Sequence, residues 1–333
     1  MPDAITSGDE IIERIEKATE RLARVRAETA RVIYGQERVV ELSLIAILAG
    51  GHALLVGVPG LAKTLLATTL GTVLGLDEKR VQFTPDLMPA DITGSEVMEE
   101  DEHGKRHFRF IPGPVFCQLL MADEINRASP RTQSALLQAM QERFVTIAGA
   151  RHDLPRPFHV LATQNPLEQE GTYPLPEAQL DRFLLEIDVD YPSLEAERRM
   201  LLATTGNEEA RAGRVLDGAG LMDIQHLVRL MPVGEKLAEG ILDVVRAARP
   251  GQPEADAFIN ETVAWGPGPR AAQALMLGAR ARALLQGRLS PSLDDVAELL
   301  DPVLRHRMAI SFSARADGVT LDDVIARLKE RIA

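Results

Sequence analysis

The stretch from Leu54 to Leu74, LLVGVPGLAKTLLATTLGTVL, constrains the fold of this chain more than any other segment. Its apolar start, Leu54 to Val56, predicts a buried strand, and the residues from Lys63 onward predict a helix that runs to Gly75. A strand, a glycine-containing loop and a helix that opens on Lys-Thr are typical of a loop that binds phosphate groups. The sequence therefore predicts an α/β fold with a nucleotide site at the end of a strand.

The loop has the backbone and side-chain chemistry that a polyphosphate needs. Gly57 and Gly60 allow a tight turn that aims N–H groups inward, and the helix start adds further free N–H groups. Lys63 is expected to neutralise the outer phosphates, and the Thr64 hydroxyl is expected to hold Mg²⁺. Ala62 replaces the second glycine of the strict pattern, and we expect it to take helical backbone angles. The predicted nucleotide-binding residues of the loop are Gly57, Val58, Pro59, Gly60, Leu61, Ala62, Lys63, Thr64 and Leu65.

Composition indicates a globular protein of roughly two domains, since the chain has 333 residues, of which 45% are hydrophobic and 26% are charged. A net charge of -12 and only 4% aromatic residues weigh against a protein that coats nucleic acid. The single cysteine, Cys117, excludes an internal disulfide. Because the first residues lack a signal-peptide pattern and no apolar run reaches the roughly 18 residues of a membrane span, we expect a cytoplasmic protein.

Two carboxylates end a second predicted strand. The apolar run from Leu119 to Ala122 is followed directly by Asp123 and Glu124. Ligands of parallel α/β folds bind at the carboxyl ends of the strands, so we expect both carboxylates at the nucleotide. Asp123 is expected to bind Mg²⁺ through water, and Glu124 is expected to polarise the attacking water.

Three further polar residues are candidates for the same site. Asn165 follows the predicted strand Phe158 to Thr163, where its amide can contact the γ-phosphate, although an isolated Asn-Pro pair is also an ordinary turn. Arg182 lies beside a strand end, where a charge-stabilising role competes with a surface ion pair. Arg270 opens a helix at the place where a lid can meet the nucleotide, and the alternative there is plain surface charge.

The residues ahead of the phosphate loop predict two helices. Ser7 and Glu10 have the spacing of a capping box at the start of the first helix. Ile33 and Tyr34 lie between that helix and the next, and we expect these two side chains to wall the adenine pocket.

The composition changes near Pro192. Before it, two predicted β-hairpins, Ser95 to Phe110 and Glu142 to Arg156, interrupt the series of strands and helices. After it, the pattern is helical throughout. We therefore expect an αβα nucleotide-binding domain over residues 1–192, which includes the N-terminal helix, and a helical lid over residues 193–333.

Together these stretches resemble the MoxR-type AAA+ ATPases. The resemblance rests on GVPGLAKT, LLMADEINRASPRTQSALLQAMQE, ATQNP and EGTYPLPEAQLDRF, and the last two together are very specific. It extends from about Val32 to the VLRHRM stretch that ends at Met308. It implies an AAA+ P-loop core with a parallel sheet flanked by helices, followed by an all-α lid domain.

The resemblance implies a role for each candidate residue. Residues 57–64 correspond to Walker A, in which alanine before the lysine is usual, and Asp123 and Glu124 correspond to Walker B. Asn165 corresponds to sensor 1, and Arg182 to the arginine finger that reaches the γ-phosphate of a neighbouring subunit. Arg270 corresponds to sensor 2, although GPGPRA replaces the more usual ASPRA here. The two hairpins correspond to the helix-2 insert and the pre-sensor-1 hairpin of the clade that includes magnesium chelatase and MCM helicases.

The function that the resemblance implies is a homo-oligomeric ring, usually hexameric, that hydrolyses ATP with Mg²⁺. Such rings act as chaperone-like remodellers, and the expected work is remodelling, maturation, or metal or cofactor loading of protein clients. They often cooperate with a protein that carries a von Willebrand factor A domain. The sequence shows no such domain, so we expect that partner to be another chain.

Two alternatives stay open at this point. The first is a nucleic-acid translocase of MCM-like type that contacts its strand through basic residues of the hairpins, namely Lys105, Arg106, Arg109, Arg151 and Arg156. The acidic net charge makes nucleic acid the less favoured partner. The second is a small-molecule P-loop kinase, which predicts a monomer and leaves Arg182 without a role in a neighbouring subunit.

Overall fold

Five parallel strands form the central sheet, in the spatial order β2 (Glu78–Gln82), β5 (Leu119–Asp123), β8 (His159–Gln164), β1 (Ala53–Val56) and β9 (Leu185–Asp188). The computed structural model describes residues 8–100, 102, 104–168, 171–206 and 210–332, so Ser7, tip residues of the first hairpin and Glu170 lie outside the described residues. The three inner strands, β5, β8 and β1, are short and largely buried, as expected for a parallel sheet covered on both faces, whereas the edge strand β2 is mostly charged and polar. The predicted α/β fold class is confirmed.

Helices cover both faces of the sheet. They are α1 (Gly8–Ala30), α2 (Glu37–Leu48), α3 (Lys63–Leu74), α4 (Pro89–Thr93), α5 (Pro130–Glu142) and α6 (Glu177–Leu180), with a 3-10 turn at Ile125–Arg127. Successive strand residues point to opposite faces: Leu55 belongs to the apolar cluster of α1, α2 and α3, whereas Leu54 belongs to the cluster of α5. Burial of both faces therefore sets the register of the strands.

Two hairpins project from this domain, as the sequence predicts. The first consists of β3 (Gly94–Glu100) and β4 (Arg106–Pro112), and the second of β6 (Phe144–Ile147) and β7 (Ala150–Asp153). The hairpins contact each other, because the ring of Phe110 stacks on that of His152 with centroids 3.9 Å apart.

The C-terminal part is helical apart from one small sheet. Its helices are α7 (Leu194–Thr204), α8 (Gly218–Leu230), α9 (Glu235–Ala247), α10 (Ala257–Thr262), α11 (Pro269–Leu285), α12 (Leu293–Leu304), α13 (Phe312–Ala316) and α14 (Leu321–Lys329), with a 3-10 turn at Arg305–Arg307. The expectation of helical structure throughout is wrong in one place, because β10 (Val263–Trp265) pairs antiparallel with β11 (Ala309–Ile310). These strands are far apart in sequence and too short to show a period, so local pattern could not reveal them. Among the described residues, no helix is long and apolar enough to cross a membrane.

The largest apolar cluster continues from the sheet into the lid. It includes Leu55 of β1, Ile45 of α2, Leu275 of α11 and Leu299 of α12, each of them fully buried. A continuous core of this kind holds the lid against the nucleotide-binding domain through non-directional contacts.

A buried ionic cluster organises the start of α12. Asp295 is fully buried, and it accepts from Arg282 at 2.6 Å, from Arg288 at 2.7 Å and from the Ser292 backbone N–H at 2.8 Å. Burial alone would raise the pKa of Asp295, but the bonds from Arg288, Ser292 and Arg282 outweigh it and hold the pKa below its ordinary value. The carboxylate therefore stabilises the fold above its unfolded pKa, and that contribution is lost as the pH falls through the folded pKa.

We expect Asp295→Ala to destabilise the protein by about 3 to 5 kcal/mol, because Arg288 loses its carboxylate and Arg282 keeps only Glu41, at 3.6 Å. The free energy of unfolding from urea denaturation measures this effect. The matched control is Asp294→Ala, which removes an exposed carboxylate from the same helix turn and should cost about 1 kcal/mol or less. Equal losses in the two variants would contradict the prediction.

Candidate functional site

The loop after β1 places a lysine ammonium over its own backbone. Lys63 begins α3, and its Nζ donates to the carbonyls of Gly57 and Val58, the latter at 3.1 Å. Burial lowers the pKa of Lys63, and the nearby charges of Asp123 and Glu124 oppose that shift. A cation held in this way lies ready to bind phosphate oxygens.

Ala62 does not take the backbone angles expected from the sequence. Its φ is +56° and its ψ is +21°, which is left-handed, so the expectation of ordinary helical angles at this position is wrong. A residue with a Cβ adopts this conformation at a cost of roughly 1 to 2 kcal/mol, which explains why the strict pattern has glycine here. The turn that joins the loop to α3 requires this conformation.

Asp123 is held by two side chains that the sequence did not point to. Thr163 at the end of β8 donates its hydroxyl to Oδ1 of Asp123 at 2.6 Å, and Arg80 of β2 donates to Oδ2 at 2.6 Å. The same Thr163 oxygen accepts from the backbone N–H of Glu124 at 2.8 Å. Neighbouring strands therefore fix both carboxylates, because β5 lies between β2 and β8.

Glu124 has a strained backbone and a fully engaged carboxylate oxygen. Its φ is +55°, a left-handed value that is rare for a residue other than glycine and that occurs most often at functional sites. Its Oε2 accepts from Gln82 at 2.7 Å and from Arg127 at 2.9 Å. The side chain is thus oriented by two donors before any ligand binds.

Most of the predicted site residues line one cavity of about 430 Å³. Asn165 lies at this cavity, and its Oδ1 accepts from the Leu167 backbone N–H at 3.1 Å, so the residue also makes the turn that the sequence allowed. The residues that line the cavity are Pro59, Gly60, Leu61, Ala62, Lys63, Thr64, Leu65, Arg80, Asp123, Glu124, Thr163 and Asn165.

Thr64 and Asp123 have the chemistry that suits Mg²⁺. A hydroxyl and a carboxylate at one phosphate-binding cavity are hard oxygen donors, and Mg²⁺ prefers such donors together with water and phosphate oxygens. No group of three or more His, Cys, Asp or Glu that could hold a metal by itself occurs among the described residues. The residues present therefore fit a metal that binds together with a nucleotide.

Ile33 and Tyr34 are not among the residues that line this cavity. Ile33 is buried, and the Tyr34 hydroxyl donates to the carbonyl of Arg31 at 2.9 Å. The adjacent Gly35 packs closely against Pro192, at the predicted boundary with the lid. Contact of these two side chains with an adenine ring stays a prediction.

Arg182 and Arg270 line a second cleft, of about 200 Å³, between the sheet and the lid. Nη1 of Arg182 donates to the Leu137 carbonyl at 2.7 Å, and its Nε is buried without an acceptor. Arg270 at the start of α11 lies 3.6 Å from the carboxylate of Asp181. Neither arginine is among the residues that line the Lys63 cavity, and contact of Arg270 with a nucleotide stays a prediction.

Comparison with known proteins identifies the family. Residues 52–185 match the family model described as "ATPase family associated with various cellular activities (AAA)", and residues 255–328 match that of the "AAA lid domain". Chaperone MoxR1 of Mycobacterium tuberculosis is 42% identical over 312 residues, which cover 94% of this chain and 82% of that protein. The chain belongs to the MoxR family of AAA+ ATPases.

Other MoxR relatives and a solved structure agree with this assignment. Protein MoxR of Methylorubrum extorquens is 33% identical, with 86% of this chain and 87% of that protein covered. The crystal structure of a candidate ATPase from Cytophaga hutchinsonii superposes with a TM-score of 0.87 at 35% identity, over 96% of this chain and 97% of that one. The family supports ATPase activity, implies the use of a nucleotide and usually Mg²⁺, and typically forms oligomers.

The MoxR site contains residues that sequence reasoning missed. Arg80 and Gln82 come from β2, and Thr163 is the last residue but one of β8. Arg80 and Thr163 bind Asp123, and Gln82 binds Glu124. Thr163 could have been suggested by its place in the specific ATQNP stretch, two residues before Asn165. Arg80 had no such signal, because its role follows from the strand order.

Proposed function

We propose that this protein is a subunit of a cytoplasmic ring, hexameric as is usual in its family, that hydrolyses ATP to remodel, mature or load protein clients. The observation that carries the proposal is the convergence of Lys63, Thr64, Asp123, Glu124 and Asn165 on one cavity. A partner with a von Willebrand factor A domain remains part of the expectation. The family assignment favours this function over the kinase alternative.

Each polar residue at the cavity would have a separate role in ATP hydrolysis. Lys63 would neutralise the β- and γ-phosphates, and Glu124 would polarise a water for attack on the γ-phosphorus. Asn165 would orient that water and the phosphate. Mg²⁺, held by the Thr64 hydroxyl and by Asp123 through water, would neutralise charge on the phosphate oxygens. On this proposal the nucleotide displaces the carbonyls of the loop from Lys63 and takes over its hydrogen bonds.

Arg182 would act on the nucleotide of a neighbouring subunit. It lines a different cleft from the Lys63 cavity, so the hydrolytic site of one chain lacks this cation. Arg270 shares the cleft with Arg182, and we propose that both arginines face the adjacent subunit's triphosphate. A guanidinium supplied in this way is worth roughly 10³- to 10⁵-fold in rate. Because its Nη1 is bound only to a neutral carbonyl, Arg182 can exchange that acceptor for a phosphate oxygen.

We expect Glu124→Gln to bind ATP and to hydrolyse it at least about 100-fold more slowly, because the amide cannot polarise water. Lys63→Ala should abolish nucleotide binding. Equilibrium binding of a fluorescent ATP analogue measures nucleotide affinity, and release of phosphate measures the rate of hydrolysis. Glu168→Gln is the matched control, since Glu168 lies 3.8 Å from the same Arg127 and has no proposed role. Normal turnover by Glu124→Gln would remove Glu124 from the mechanism.

Mixed assemblies test the role of Arg182 in the neighbouring site. Arg182→Ala should bind ATP and turn it over roughly 10³-fold more slowly, and Lys63→Ala should be inactive. An equimolar mixture should recover phosphate release, because each variant supplies what the other lacks at their shared interface. Each variant alone at the same total concentration is the control. A mixture no more active than its components would contradict the assignment.

The hairpins favour a protein client over nucleic acid. Three of the five basic residues considered for nucleic acid make ion pairs within their own hairpin, at 3.5, 2.7 and 2.8 Å: Arg106 with Glu100, Arg109 with Glu99, and Arg151 with Asp153. Paired cations of this kind offer less charge to a phosphate backbone.

The first hairpin also exposes apolar surface. Met98 and Phe108 face each other across its strands and are 57% and 69% exposed. Phe110 lies two residues from Phe108 on the same face and packs on His152. We propose that this exposed pair contacts apolar segments of a client.

The double variant Met98→Ser/Phe108→Ser should weaken binding of an unfolded protein by roughly 30-fold, because each of the two sites loses an apolar contact of about 1 kcal/mol. The double variant is made in the Glu124→Gln protein, which is expected to hold ATP without hydrolysing it. Fluorescence anisotropy of labelled lactalbumin, kept unfolded by reduction and carboxymethylation, measures binding to the ATP-loaded protein. Phe312→Ser, at an 89% exposed lid position, is the control. Undiminished binding by the double variant would contradict the proposal.

A separate measurement tests the translocase alternative. Single-stranded DNA that stimulates the ATPase, with a stimulation that falls steeply as salt rises, would favour that alternative.

A further inference from the structure

The chain around Arg182 forms a short connection between two rigid elements. We call residues Asp181–Leu184 the finger segment. It follows α6 and leads into β9, and its last residue, Leu184, donates its N–H to the His52 carbonyl at 2.8 Å, next to β1. The position of Arg182 therefore depends on what holds this segment.

A buried arginine of the lid holds the finger segment on both sides of Arg182. Arg307 is 2% exposed, and its Nε donates to Oδ1 of Asp181 at 2.8 Å. Its Nη2 donates to the carbonyl of Phe183 at 2.5 Å, and its Nη1 donates to that of Leu184 at 3.2 Å. One guanidinium thus binds the residue before Arg182 and the two residues after it.

The same guanidinium is anchored in the lid. Nη1 of Arg307 also donates to the Val303 carbonyl in α12 at 2.5 Å. The preceding residue, His306, is buried and lies with Nε2 3.1 Å from the Phe183 carbonyl. Burial lowers the pKa of His306 well below its ordinary value, so the ring is neutral and is suited to a hydrogen bond with a carbonyl.

An arginine is required for this set of contacts. A guanidinium presents five donors in a rigid fork, whereas a lysine ammonium presents three donors on a flexible stem. The fork of Arg307 spans a carboxylate and several carbonyls at fixed angles, so it specifies the orientation of the finger segment as well as its distance from the lid.

Arg182 itself is held only loosely by comparison. Its Nη1 binds one carbonyl, that of Leu137, and its Nε has no acceptor. Its guanidinium can therefore reorient without breaking an ion pair, while the backbone that carries it stays attached to the lid through Asp181.

We propose that Arg307 is a positioning residue for Arg182: it locks the finger segment to the lid, so that the lid sets where the finger meets the adjacent subunit. This inference rests on the proposed role of Arg182 in the neighbouring site. It assigns a function to a charge that lines the Arg182 cleft but is 2% exposed, and that is not among the residues lining the Lys63 cavity.

Mixed assemblies separate the two sides of a subunit. In a mixture of Lys63→Ala and Arg182→Ala proteins, the first supplies only the finger and the second supplies only the nucleotide site. Arg307→Gln is introduced into one of the two proteins at a time, and phosphate release is measured at equal concentrations.

The inference predicts an asymmetric result. In the Lys63→Ala protein, Arg307→Gln should lower the recovered activity roughly 10- to 100-fold, which is typical for a misplaced catalytic group. In the Arg182→Ala protein, the same change should lower activity by less than about twofold, because sites without shared partners act independently. A residue needed only for folding or for lid contact would lower activity in both arrangements.

Three further variants distinguish a positioning role of Arg307 from a general loss of folded structure. Asp181→Asn keeps the side-chain volume and removes the carboxylate that pairs with Arg307 and, at 3.6 Å, with Arg270. It should give the same asymmetry with a smaller loss. Arg307→Lys should restore part of the activity, since it keeps the charge near Asp181 and lacks the fork. Arg305→Gln is the matched control in the same turn. Arg305 pairs with Asp301 at 2.7 Å, with Asp322, and with Asp188 of β9 at 3.5 Å, so it also joins the lid to the sheet, but it does not bind the finger segment. It should leave activity unchanged.

The outcomes distinguish the inference from the proposed function. Equal losses in both arrangements, or no loss in the Lys63→Ala protein, overturn the role of Arg307 while leaving Arg182 as the finger. Absence of recovery in the parent mixture instead overturns the role of Arg182, and the inference falls with it. Recovery in the parent mixture with loss confined to the Lys63→Ala protein supports both.

Discussion

The hydrogen bonding of β1 between β8 and β9 is the constraint on which the rest of the structure depends. At its end, the Gly57 N–H donates to the Gln164 carbonyl at 3.1 Å, and the Val56 carbonyl accepts from the Val189 N–H at 2.7 Å. Parallel pairing brings the carboxyl ends of the strands to one edge, so loops from distant parts of the chain meet there. Lys63 and Asn165 reach one cavity for this reason, and β5 adds Asp123 from the next position in the sheet.

Charge at that edge is balanced before a nucleotide binds. Asp123 and Glu124 are held by arginines, Arg80 and Arg127, while Lys63 is held by loop carbonyls. On the proposed mechanism, phosphate oxygens would replace the loop carbonyls at Lys63, while both arginines would keep the carboxylates oriented. The left-handed backbone of Glu124 belongs to the same arrangement, since its N–H must reach the Thr163 hydroxyl.

Two kinds of contact join the lid to the sheet, one apolar and one made of hydrogen bonds, and they constrain the lid differently. The apolar cluster shared by α2, α11 and α12 is non-directional, so it holds the lid close without fixing its orientation. The contacts of Arg307 with Asp181 and Phe183 are directional and buried, so they fix one segment of the sheet domain relative to the lid. A lid attached in both ways can transmit a change of position to the second cleft, where Arg182 lies.

The sequence by itself determined the features that depend on neighbours along the chain. Glycines and Lys-Thr after an apolar run specify the phosphate loop, two acids after a strand specify the carboxylates, and turn residues specify the hairpins. Tertiary structure alone decided which charges meet. Arg80 reaches Asp123 because β2 lies beside β5, and Arg307 binds Asp181 across 126 residues of sequence. No local pattern encodes these pairs, since strand order and lid placement follow from the burial of whole apolar faces.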